Sequence, residues 1–164
     1  MEQSKAILLP LTIIISLFCT STFADVTGRV VSVTDGDTIK VLDANDVQYK
    51  IRLTGIDAPE RKQPFGNASR KHLASLVAGK QVKVESDKSD RYGGVLGKVW
   101  VDGTDANLEQ LKAGYAWWYR YYAKQQPLKD RKAYEKAELN ARKERLGLWA
   151  DPSPINPYVW RKKK

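Results

Sequence analysis

The chain has 164 residues, 28 Lys and Arg against 19 Asp and Glu, and a net charge of +9. That length holds one domain with a real core and excludes two ordinary ones. One cysteine and one histidine exclude a disulfide scaffold and leave no cluster for zinc, while the charge points to a polyanion: nucleic acid, anionic lipid or an acidic glycan.

Residues 1–24 read as a secretory signal peptide. Lys5 gives a basic start, an apolar run extends from Ala6 to Phe18, and Thr22-Phe23-Ala24 sets small residues three and one positions before a cut at Asp25. An uncleaved anchor is the rival reading. Lipid modification of Cys19 is disfavoured by the bulky Phe18 before it. The expectation is a secreted or periplasmic domain over 25–150, without a thiol and so without disulfides, followed by an extended Pro-containing basic tail at 151–164.

The first half of the domain reads as strands. Val26 to Thr34, Thr38 to Leu42 and Val47 to Leu53 alternate apolar and polar residues, with turns predicted at Asp35-Gly36-Asp37 and Asn45-Asp46. A helix is predicted from Asn67 to Ala78, stopped by Gly79. Gln81 to Glu85 is a fourth strand, Ser86 to Gly94 a loop, and Val95 to Val101 a fifth strand. Asp105 caps a short helix that runs through Ala113. The last helix runs from Pro127 to Leu146, with Ala133, Ala137 and Ala141 forming a smooth stripe for close approach to the sheet. Five strands and three helices in this order predict an α+β domain built on a small barrel; periodicity alone does not choose an oligonucleotide-binding (OB) barrel over other α+β arrangements.

The chemistry concentrates in two strings. Asp35-Gly36-Asp37-Thr38 precedes Arg52-Leu53-Thr54-Gly55-Ile56-Asp57-Ala58-Pro59-Glu60, setting acidic groups and one arginine on two strands and their turns. Asp37 and Asp57 suit a shared hard cation, Glu60 a water, and Arg52 a phosphate, because a planar fork donates two hydrogen bonds. Read alone, Asp35 and Asp37 equally fit a plain hairpin turn. Farther on, Tyr115 to Tyr122 interleaves aromatics with Arg120, as base stacking plus phosphate contact requires, although Trp117 and Trp118 fit a core role better.

These residues, with Asp90-Arg91-Tyr92-Gly93, resemble the staphylococcal-nuclease-like (thermonuclease or micrococcal nuclease) family from about Thr27 to Trp149. The resemblance implies a five-stranded OB-fold barrel with three α-helices, and calcium-dependent cleavage of DNA and RNA that leaves 3′-phosphate and 5′-hydroxyl ends. It implies Asp37, Asp57 and the carbonyl of Ala58 as Ca2+ ligands, and Arg52 and Glu60 as catalytic residues. Arg91, Tyr92, Arg120 and Tyr122 fall where the family binds substrate. The family's second catalytic arginine is replaced here by Gly94, and Arg91 or Lys98 is the expected substitute. The partners implied are DNA and RNA, with a monomeric protein that needs no stable protein partner and no membrane once the signal is removed. A degenerate relative that binds single strands without cutting them is the alternative. A module docking on anionic polymers or lipid, resting on the net charge and the Arg161 to Lys164 terminus, is a third reading.

Overall fold

The computed structural model describes residues 25–89 and 94–163. Strands β1 (Val26–Asp35), β2 (Thr38–Leu42) and β3 (Gln48–Leu53) form an antiparallel meander. After a two-residue strand β4 (Ile56–Asp57) comes helix α1 (Gly66–Val77), then β5 (Gln81–Ser89) and β6 (Val95–Val101). A short β7 (Thr104–Asp105) leads into α2 (Ala106–Lys112). Strand β8 (Trp117–Trp118), α3 (Leu128–Lys143) and α4 (Pro157–Lys162) complete the chain, with 3₁₀ turns at Arg120–Gln125 and Gly147–Ala150.

The sheet order is β3-β2-β1-β5-β6-β7. Parallel pairing of β3 with β6 (Ile51↔Val95, Leu53↔Gly97) closes five strands into the expected OB-type barrel. Closure leaves the long strands without a bare edge and aims one face of each inward. Ile39, Val41, Ile51, Val84 and Val99 are fully buried there. Each contributes about 1.5–3 kcal/mol by leaving water.

The helices follow their sequence signals with local differences. α1 starts one residue early, at Gly66, after Phe65 in the left-handed region (φ 66°), and Gly79 follows its end at φ 73°. The Asp105 side chain caps α2 by accepting from the Leu108 N–H at 3.0 Å. α3 ends at Lys143 rather than Leu146, because Arg145 turns left-handed (φ 53°). α3 packs chiefly on α2; of its alanine stripe, Ala137 joins the main core, Ala133 packs against it and Ala141 packs with Leu148 and Trp149, alongside buried Tyr134 and Glu138. β5 runs to Ser89, four residues beyond the predicted strand, because its pairing with β6 continues past a bulge at Ser86 and Lys88. The predicted signal peptide lies outside the described residues.

The tail departs most from expectation. It is not extended throughout: Pro157–Lys162 forms α4, while Leu148 and Trp149, just before the tail, are buried with Ala141 against Phe65 and Trp117. Pro157 is buried, and the Asn156 side chain accepts from the Tyr158 N–H at 2.9 Å to cap α4. An Asn cap followed by Pro at the first helical position is a strong start signal, and it outweighs the extended bias of the nearby prolines.

Candidate active site

Asp35 and Asp37 flank the tight turn that joins β1 to β2. The Asp37 carboxylate is nearly buried and accepts from the Ala58 N–H at 2.9 Å and the Thr38 hydroxyl at 2.9 Å. Its backbone carbonyl accepts from the Leu53 N–H at 2.8 Å, so the turn is pinned to the end of β3. From the other side Gln110, fully buried on α2, donates to the Gly36 carbonyl at 2.7 Å. No side chain fits at Gly36: a Cβ would overlap the Ser69 hydroxyl and crowd Ala58.

Asp57 is fixed by its backbone. The pair β4–β8 sets Asp57 opposite Trp117 and Ile56 opposite Trp118. Two-residue strands are too short for a periodicity signal, so the sequence does not reveal this brace. Only 2% of Asp57 is exposed. Arg52, paired through its backbone with Thr38, reaches it from β3, with Nη2 3.6 Å from Asp57 Oδ1. The Glu60 backbone N–H donates to Gln63 Oε1 at 3.1 Å in the loop before α1.

Asp35, Asp37, Ala58, Glu60, Arg52 and Lys50 line a polar cavity of about 140 Å³. Burial, and then the charge of Asp37, push the Asp35 carboxyl up to about 7. Burial also holds Asp57 above the usual carboxylate range, with Asp37 adding to it and Arg161 and Arg52 opposing it. Carboxylates that repel one another in a confined polar site gain most from a hard cation. Among the described residues no three acidic, His or Cys side chains converge as a ready-made metal cluster. Asp37 and Asp57 with the Ala58 carbonyl would offer two carboxylates and a neutral oxygen, a set whose chemistry fits calcium once water or substrate oxygens complete six to eight ligands.

One residue at this site comes from the far end of the chain. Arg161, on α4, donates from Nη1 to Asp57 Oδ1 and from Nη2 to Asp57 Oδ2, each at 3.0 Å, and from Nη1 to Glu60 Oε1 at 3.0 Å. The sequence placed it only in the extended basic tail. Tyr119 was also unassigned. Burial, and then the charge of Asp57, hold its hydroxyl above the ordinary tyrosine value.

The remaining predicted residues divide. Tyr122 is exposed on the 3₁₀ turn and clusters with Tyr121 (centroids 4.8 Å apart) and Tyr119 (5.5 Å). Arg120 lies over Trp118, with Nη2 2.7 Å from buried Glu138 Oε2, a charge contact too oblique for a hydrogen bond. Lys98 is bound to Asp130 at 2.9 Å and lies 3.5 Å from Asp105. It is engaged by α3 and the α2 cap. Arg91 and Tyr92 lie outside the described residues. Trp118 is buried, as its core role requires, and Trp117 packs edge-on against Trp149 at 4.4 Å.

The family model described as staphylococcal nuclease homologue matches residues 50–151, a span that includes Arg52, Asp57 and Glu60. A protein named uncharacterized endonuclease in Escherichia coli is 44% identical over 142 residues, 86% of this chain and 88% of its own length. A micrococcal nuclease of Shigella flexneri is 42% identical over 149 residues, 85% of this chain and 83% of its own. An uncharacterized endonuclease of Haemophilus influenzae is 37% identical over 164 residues, 100% of this chain and 89% of its own.

Proposed function

Because the chain belongs to the staphylococcal nuclease homologue family and is a nuclease, we propose that it hydrolyses DNA and RNA phosphodiesters with calcium and little sequence preference. The observation that carries this reading is the gathering of Asp37, Glu60 and Arg52 around one cavity, with Asp57 beside it. Pure binding has no use for carboxylates beside an anion site, whereas hydrolysis needs both.

Asp37, Asp57 and the Ala58 carbonyl would hold the cation. When bound, calcium supplies Lewis-acid charge that draws a phosphate oxygen into an otherwise acidic site. The chain's own residues do the rest. Arg52 bonds two non-bridging oxygens of the phosphate and holds it still. Glu60 accepts a proton from a water aligned with the phosphorus, and the water oxygen bonds to phosphorus. The bond from phosphorus to the 5′ oxygen breaks, and that oxygen takes a proton from solvent. The ends are a 3′-phosphate and a 5′-hydroxyl. Tyr121 and Tyr122, exposed beside Tyr119, would offer rings to flanking bases, which supports single-stranded or locally opened substrate. The net charge of +9 supplies attraction to the backbone without sequence preference. The signal-like residues 1–24 support export to periplasm or medium, and the protein acts as a monomer in this reading.

The test is cleavage of a labelled single-stranded oligonucleotide with calcium and with chelator, beside Glu60→Gln. Calcium-dependent cutting that the variant loses supports the nuclease with Glu60 as its base. Tight binding without cutting in both conditions refutes it and leaves a binding protein.

A further inference from the structure

Arg161 reaches the site along a built path. Leu148 and Trp149 are buried, the Gln63 side-chain amide bonds the Ile155 carbonyl, Asn156 caps α4 and Pro157 is buried. The chain between α3 and Arg161 is therefore already ordered, and the guanidinium is delivered at little further entropy loss. Three hydrogen bonds of 3.0 Å fix it, two of them a fork on Asp57. Arg52 approaches the same carboxylate from β3.

Two guanidinium groups on one carboxylate leave a surplus once that carboxylate is a metal ligand. A cation held by Asp37 and Asp57 would need Asp57 oxygen that Arg161 now bonds, so cation and fork would compete. The displaced guanidinium remains tethered beside Glu60, the group that holds the attacking water. Hydrolysis builds negative charge on the phosphoryl oxygens at that place, and an anchored guanidinium is suited to meet it. Lys98, the alternative on the barrel, is already bound to Asp130.

We propose that Arg161 is a second phosphate-binding guanidinium of the active site, held on Asp57 and Glu60 without metal and moved onto the scissile phosphate when the cation binds. The proposal rests on the nuclease reading above. It makes the C-terminal helix part of the catalytic apparatus rather than a solvated appendage.

The experiment compares the wild-type chain with Arg161→Ala, Arg161→Lys and, as a charge control, Lys136→Ala on the exposed face of α3. Three quantities are read: cleavage kinetics in calcium, calcium affinity of the metal-free proteins by calorimetry, and oligonucleotide affinity in a Glu60→Gln background that does not cut. Arg161→Ala should lower kcat about 10²–10³-fold, while Lys136→Ala stays within about threefold of wild type. Arg161→Lys, which keeps charge and tail packing, should recover only a small part because it lacks the fork. In the Glu60→Gln background, adding Arg161→Ala should weaken oligonucleotide binding about tenfold or more. Calcium affinity of Arg161→Ala should exceed that of wild type, since a competing cation is gone. Cleavage by Arg161→Ala near the wild-type rate overturns the proposal, as does weakened calcium binding, which would make Arg161 a support for the ligands. A wild-type chain that does not cut in calcium refutes the nuclease reading itself, whatever the variants do.

Discussion

Gln110 is the buried link between the helical layer and the acidic turn, and its removal has a calculable effect. Its amide nitrogen donates to the Gly36 carbonyl at 2.7 Å and shares a weaker bond with Ser69, 3.2 Å to the carbonyl and 3.3 Å to the hydroxyl. Its oxygen pairs with His72 Nδ1 at 2.5 Å. Gln110→Ala leaves the Gly36 carbonyl without this donor in a fully buried place. An unsatisfied buried group costs about 1–3 kcal/mol. His72 is only partly buried and can turn to water, so it adds little, while the unfilled space adds about 1 kcal/mol. The total is about 2–4 kcal/mol, a fall in melting temperature of about 4–16 °C for a chain of this size. The assay is urea unfolding of the metal-free protein, followed by calcium titration, in which the loosened turn that carries Asp37 should bind more weakly. Gln110→Leu keeps the volume and loses the donor. If it matches wild type within about 0.5 kcal/mol, the Gly36 bond does not hold the turn and the reasoning fails.

Arg52→Lys keeps the charge but loses the fork, so turnover should fall on the order of 10²-fold with the melting temperature nearly unchanged; an active lysine variant would mean that Arg52 acts only as a point charge. Glu138 is fully buried between Arg120 and Arg142, so Arg120→Ala with Arg142→Ala, which strands its charge, should destabilise by about 3–5 kcal/mol. Glu138→Leu, which releases two half-exposed arginines to water, should destabilise less in denaturant titration; the reverse order would mean that stranding the buried carboxylate costs little. Burial holds the Asp105 carboxyl above its ordinary value of 3.8, more than Leu108, Lys98 and Tyr134 lower it. The folded chain therefore keeps a proton there that the unfolded chain has lost, and stability falls as pH rises from 3.8 towards the raised value. Asp105→Asn removes this dependence, so unfolding free energies measured against pH should move in the variant's favour across that window; a constant offset would show that Asp105 does not titrate there.

The barrel was legible because its strands are half-buried and alternate, as Tyr49, Ile51 and Leu53 do on the strand that β6 pairs with, although Val47 just before it is exposed. The α2 cap and the Gly79 stop were legible because each is a local backbone requirement. The site was legible where its residues lie on those elements: Asp37 on the hairpin turn, Arg52 on β3 and Glu60 in the loop that follows. What stayed hidden rests on long-range contact. β4 and β8 exist because Ile56 finds Trp118 across more than sixty positions, and neither dipeptide signals a strand alone. Arg161 meets Asp57 across 104 positions, and a basic run reads as solvated face unless something buries it. Asn156-Pro157 was a readable helix start, and it was obscured by the prolines before it.

The two ends of the domain meet at Asp57 for a reason of charge. A carboxylate with 2% exposure stays ionised in a metal-free chain only if cations inside the protein replace the water it has lost. Arg52 alone, at 3.6 Å, makes one loose contact. Arg161 supplies the fork that satisfies both oxygens, and Asp57 with Glu60 hold the Arg161 guanidinium protonated beyond its already high norm. The same exchange serves the loaded site. A divalent ion held by Asp37 and Asp57 would make the second guanidinium redundant there, and a bound phosphate would bring the negative charge the guanidinium then needs. Neither state leaves Asp57 or Arg161 uncompensated. An acidic cluster survives on a chain of net charge +9 because its own cation waits within reach.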